Sequence, residues 1–153
     1  MSTLERLKAD FAIVADRFHR NPACARFVKG DFTRAEYASM MSAIALQARE
    51  NPQIQAYATA FFRGHQRDLV RGFLRHATSE IGHDQLAAND VAAMGFPSDD
   101  LFEQLPLPST ISLTAFAYYT IDHLDPVAYL GYLFFLEFLP TQHFFVFERA
   151  QDR

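Results

Sequence analysis

Two histidines, a glutamate and an aspartate stand at helical spacing in "RHATSEIGHDQLAAND", residues 75–90: His76, Glu80, His83 and Asp84. Carboxylates and imidazoles hold divalent transition metals, the first supplying negative charge and the second a neutral nitrogen. Residues three or four apart share one face of a helix, so Glu80-x-x-His83 presents an oxygen and a nitrogen ligand together. Downstream, "PVAYLGYLFFLEFLP", residues 126–140, holds one acid or base other than tyrosine, Glu137. A helix apolar on all sides is surrounded by protein, which predicts a buried Glu137. Two inward carboxylates on two helices, with a histidine three residues after the first, are what a dinuclear metal site in a helical bundle requires.

The direction of these groups follows from a turn of about 100° per helical residue. On that wheel Leu69, Phe73, Ala87 and Val91 cluster within roughly 40° of one another, and Glu80 falls inside the cluster. Asp84 lies about 20° outside it, and His76 and His83 sit on one shoulder. Arg67, Arg71 and Arg75 occupy the far side, the solvent face. An unpaired carboxylate in a buried stripe is costly and is normally neutralised, paired or bound to metal.

Each residue also has an ordinary structural reading. Glu80 and His83 also fit a surface hydrogen-bonded pair, although the apolar placement of Glu80 and the company of Glu137 favour a metal. His76 fits a rim residue, and Asp84 a partner for an arginine of a neighbouring helix. His123 shares a stripe with Phe116 and Tyr119 and reads first as a satisfied core histidine. His76, Asp84, His123 and His143 are therefore secondary metal-ligand candidates behind Glu80, His83 and Glu137. Cys24 reads as a small core residue, with no His or Asp pattern around it to activate a thiol.

The elements that carry these residues are helices. Leu4, Leu7, Phe11, Val14 and Phe18 repeat as one apolar stripe, with Ser2 and Glu5 at capping-box spacing before it and "NP" at 21–22 ending it. Thr33 with Glu36 starts a second helix, with Tyr37, Met40, Met41, Ile44 and Ala48 on one face. Pro52 interrupts it, and "QIQAYATAFFRG" predicts a shorter helix closed by Gly64. One continuous helix is expected from about Gln66 to Met94, with Gly95 just past its end and Pro97 beyond. "PSDDLFEQLPLPS" reads as a Pro-bracketed loop with one helical turn. Helices follow near 110–123 and 126–139, separated by Asp125-Pro126, with Pro140 ending or kinking the last. The expected fold is all-α, one helical-bundle domain over residues 1–153.

Composition agrees with a packed bundle. The chain has 153 residues, half of them hydrophobic, with sixteen Phe and no Trp. A net charge of -4 with mixed signs predicts no nucleic-acid surface. The lone Cys24 excludes an internal disulfide and fits a reducing compartment. "MSTLERLKAD" carries Glu5, Arg6 and Lys8 and does not read as a signal peptide, and no apolar run has the length of a membrane span. The expectation is a cytoplasmic protein.

"LVRGFLRHATSEIGHDQLAANDVAAMG" resembles the second core helix of the haem-oxygenase-like diiron oxidases and oxygenases, a group within the wider superfamily of TENA-like thiaminases and PQQ-synthesis proteins. Members carry Glu-x-x-His there, often with Gly before the His, as Glu80, Gly82 and His83 stand here. "DPVAYLGYLFFLEFLP" is similar to the family's next motif, a small residue or Gly followed by a carboxylate ligand. The resemblance covers about residues 33–140. It implies a haem-oxygenase-like (TENA-type) α-bundle in which Glu80 and His83 ligate metal and Glu137 adds a carboxylate. It also implies two ferrous ions, with manganese as an alternative, that activate dioxygen to oxidise a small, partly apolar organic substrate. The family's remaining Asp-x-x-x-His ligands lie well beyond the second glutamate, whereas here Glu137 is followed only by residues up to Arg153, among which His143 and Glu148 have the wrong spacing. Either the bundle is C-terminally shortened, with a metal site incomplete in one chain, or a partner chain completes it; the exposed apolar groove that missing helices would leave predicts a homodimer. Set against this metal-dependent oxidase or oxygenase is a non-catalytic bundle serving ligand binding or dimerisation. Haem binding through His19 ranks last, with little beyond one histidine on a helix, and the thiamine cleavage of the wider superfamily would need a catalytic cysteine in the core, whereas Cys24 sits in a short N-terminal segment.

Overall fold

The computed structural model of the chain describes residues 1–141. In chain order its α-helices are α1 (Thr3–Arg20), α2 (Pro22–Val28), α3 (Arg34–Ala48), α4 (Asn51–Thr59), α5 (Arg67–Glu80), α6 (His83–Ala93), α7 (Pro108–Tyr119) and α8 (Tyr129–Thr141). There is no strand among the described residues. Short 3-10 turns lie at Gly64–Gln66, Leu101–Glu103 and Pro126–Ala128, and a π-turn spans Thr120–Leu124. The helices fall into two compact units, residues 34–129 and residues 1–33 with 130 onward.

In the unit of residues 34–129, α3 lies along α6 and α4 along α5. Met41, Ala45 and Leu46 of α3 meet Ala87, Ala88 and Val91 of α6 over Leu101. The alanines let the two helices approach closely, and each larger apolar side chain buried here stabilises by about 1.5–3 kcal/mol. Ile54 and Ala58 of α4 and Phe73 and Ala77 of α5 are buried as well. The Phe73 ring lies 5.1 Å from Phe62 and 5.9 Å from the fully buried Tyr129. Tyr57 of α4 donates its hydroxyl to Asp122 Oδ1 at 2.7 Å, tying the helix to the π-turn. Gly95, at φ 78°, closes α6 with the bond from its own N–H to Ala92 O and that of Phe96 N–H to Val91 O, the double closure expected where glycine follows a helix.

In the other unit the expected capping box opens α1: Ser2 Oγ accepts from Glu5 N at 3.3 Å and Ser2 N donates to Glu5 Oε2 at 2.6 Å. Asn21 ends α1 and caps α2, where Pro22 occupies the first turn without loss because its missing N–H has no partner there anyway. Phe11 packs edge-on against Phe134 and Phe138 of α8, with centroids at 5.7 and 4.9 Å. These contacts converge on Phe11, so of the predicted α1 stripe only Phe11 is buried, beside Ala15, while Leu4, Val14 and Phe18 are exposed.

Three local expectations are corrected. Pro52 lies in the first turn of α4 rather than interrupting a helix, and that helix ends at Thr59, before Gly64. The helix expected over residues 66–94 is two helices. Ile81 turns to an extended ψ of 120° and Gly82 adopts φ 98°, a conformation that only glycine enters without a Cβ penalty. A new helix then begins, with Gly82 O accepting from Gln85 N and Leu86 N. The break puts Glu80 at the end of α5 and His83 at the start of α6.

Candidate metal centre

Glu80 is the last residue of α5 and only 8% exposed, as its place in the apolar stripe predicts. Each of its carboxylate oxygens faces one imidazole. His83 Nδ1 lies 3.2 Å from Oε2, within hydrogen-bond reach, and His76 Nδ1, one turn earlier on α5, lies 3.9 Å from Oε1. The break at Gly82 does not separate Glu80 from His83; it swings the second helix so that the pair meets across a turn. The imidazoles are on the wetter side, with side chains 32% exposed for His76 and 50% for His83. His76 Nδ1 also stands 3.4 Å from Ser79 Oγ. The result is a dry carboxylate bracketed by two nitrogen donors that are open to solvent on their outer side. Oxygen and imidazole nitrogen of this kind suit iron, manganese or zinc. The carboxylate also fixes the plane of the His83 ring, the one imidazole within hydrogen-bond reach of it.

Glu137, predicted to be buried, is exposed on α8. It shares a stripe with Leu130 and Thr141, also exposed, at spacings of i+7 and i+11, so the apolar composition of α8 does not bury every side of the helix. Asp84, predicted to approach the core, is half-buried in the first turn of α6, with Gln85 Nε2 3.5 Å from its Oδ2. Its wheel angle assumed an unbroken helix, and the break at Gly82 removes that premise. His123, read first as a core histidine, is exposed in the π-turn with its ring 4.7 Å from that of Tyr119, itself exposed. His143 lies outside the described residues. Arg63, Arg67, Arg71 and Arg75 are exposed, as expected of a solvated face. Cys24 is half-buried, and burial pushes its thiol up, away from the reactive thiolate.

The unit also holds a polar feature that the helical stripes do not predict. Gln47, Asn51 and Gln55 recur every four residues, and Asn51 and Gln55 are buried. The signal was present as amides at helical spacing between the buried Ala48, Ile54 and Ala58.

No protein-family model and no curated protein matches the chain. A solved structure does: a domain of unknown function with a haem-oxygenase-like fold from Shewanella denitrificans OS217. It is 27% identical, with a TM-score of 0.89 over 99% of this chain and 66% of that one. The chain thus has a haem-oxygenase-like fold and spans 66% of the length of the structure it matches.

Proposed function

We propose that this haem-oxygenase-like chain is a non-haem iron oxidoreductase that uses dioxygen to oxidise a small, partly apolar organic substrate. The observation that carries the reading is Glu80: a buried carboxylate with both oxygens turned to imidazoles, a donor set that fits a divalent first-row metal. Glu80, His83 and His76 are the proposed ligands, and the sequence resemblance alone adds Glu137 as a further carboxylate. Two ferrous ions, or manganese in their place, supply the reaction with dioxygen when bound.

The residues of the chain do the rest. The Glu80 carboxylate offsets cation charge from inside the core, where its own burial keeps competing water away. Its Oε2 steadies the His83 ring through the 3.2 Å contact with Nδ1, and the exposed outer sides of the imidazoles leave room for ligand exchange. A second reading is a non-catalytic bundle that binds a ligand or a second copy. It is favoured by the exposed Ile111, Leu113, Phe116 and Tyr119 on α7.

Oxygen uptake separates the two. After anaerobic ferrous loading and removal of free iron, the oxidoreductase consumes dioxygen on mixing with air, and Glu80→Gln does not. Equal uptake by wild type and Glu80→Gln, or none by either, removes the catalytic reading.

A further inference from the structure

Gln55 of α4 is fully buried, and neither the oxygen nor the nitrogen of its side-chain amide has a hydrogen-bond partner among the described residues. It follows Gln47 of α3 and Asn51 of α4 at intervals of four residues. Gln47 Nε2 donates to Asn51 Oδ1 at 2.7 Å. The buried residues beside it on α4 are Ile54 and Ala58, and α5, which packs along α4, buries Phe73 and Ala77. None of these four side chains offers a donor or an acceptor. A buried amide with both edges unmade is strongly disfavoured, and it gains most from a partner that satisfies both at once.

We propose that Gln55 is the polar anchor of a small-molecule site within the unit of residues 34–129, and that its ligand carries a neutral primary amide or lactam. The chemistry of the anchor selects that class. A carboxylate would accept from the Gln55 N–H but set one anionic oxygen against the Gln55 carbonyl. An ammonium group would do the reverse, and a hydrocarbon would satisfy neither edge. An amide edge has a donor and an acceptor side by side, so both Gln55 atoms are paired with no net charge brought into the core. The site uses no residue of the proposed metal centre and stands whether or not that centre binds iron.

Titration of the purified protein with 2-pyrrolidinone, followed by protein NMR, tests this against cyclopentanone, a ring of the same size without an N–H. The wild type is expected to bind 2-pyrrolidinone saturably and cyclopentanone about tenfold or more weakly, with a similar loss for 2-pyrrolidinone in Gln55→Met. Methionine keeps the length and flexibility of the side chain without its amide. Absence of saturable 2-pyrrolidinone binding overturns the proposal, as does equal affinity for the two probes or equal binding by Gln55→Met. If Gln55→Met does not fold, the two probes on the wild type decide alone. A solved structure in which an ordered water bonds the Gln55 amide and is not displaced by 2-pyrrolidinone overturns it too.

Discussion

Glu80 is a carboxylate at the end of an apolar stripe, and substituting it separates structural from chemical roles. The imidazoles that face Glu80 are partly exposed, so removing the carboxylate relieves its own desolvation without leaving a buried charge unpaired. Metal-free Glu80→Leu is therefore expected to unfold at no lower denaturant concentration than the wild type. Ferrous iron is expected to raise the midpoint of the wild type alone, because a ligand that binds only the native state stabilises it. A large loss of stability in Glu80→Leu without metal, with the iron response retained, would make Glu80 a structural residue. A second residue-scale prediction concerns Tyr57. Its hydrogen bond to Asp122, followed by burial, raises the phenol above its ordinary value. The stabilisation is complete below about 10, the ordinary tyrosine value, and is lost as pH rises through the raised one. Denaturant midpoints measured on either side of that range should converge between wild type and Tyr57→Phe at the alkaline end. A constant difference would show that the bond does not titrate with Tyr57.

At the scale of elements, the break between α5 and α6 sets the geometry of the candidate centre. Gly82 at φ 98° makes the break, and a Cβ there would meet nothing within 4 Å, so substitution has a backbone cost and no steric one. Gly82→Ala is expected to lower the unfolding free energy by about 1–2 kcal/mol, the penalty for a Cβ in left-handed backbone, as read by denaturant titration. An unchanged midpoint would mean that α5 and α6 rejoin into one helix in the variant. The same break marks how far the sequence could be read. The burial of Glu80 was legible because Leu69 and Phe73 share its stripe before the break, and Ala87 and Val91 stayed buried beyond it. Asp84 was not, because a helical wheel carries no information past a residue that leaves helical φ and ψ. Glycine was visible at position 82, but its role as a breaker depends on tertiary packing, which local propensity does not report. For α8 the composition predicted burial on all sides, whereas Leu130, Glu137 and Thr141 face outward, a matter of which partners a helix has.

For the whole molecule, the all-α haem-oxygenase-like architecture was legible in helical periodicity, in capping signals at Ser2 and Gly95, and in two motifs in the expected order. The likeness to a structure of which this chain spans 66% supports the same fold. Among the described residues no helix is long and apolar enough to cross a membrane. Exposed Ile13, Val14 and Phe18 on α1 and Phe116 and Tyr119 on α7 are apolar surface of the kind that marks association, so metal content is best read alongside mass in solution. The most direct measurement is the metal content of the purified protein after anaerobic ferrous reconstitution and desalting. Iron or manganese retained by the wild type and lost in Glu80→Ala is the expected result, whereas wild-type protein that emerges metal-free would end the case for a metal-dependent oxidoreductase.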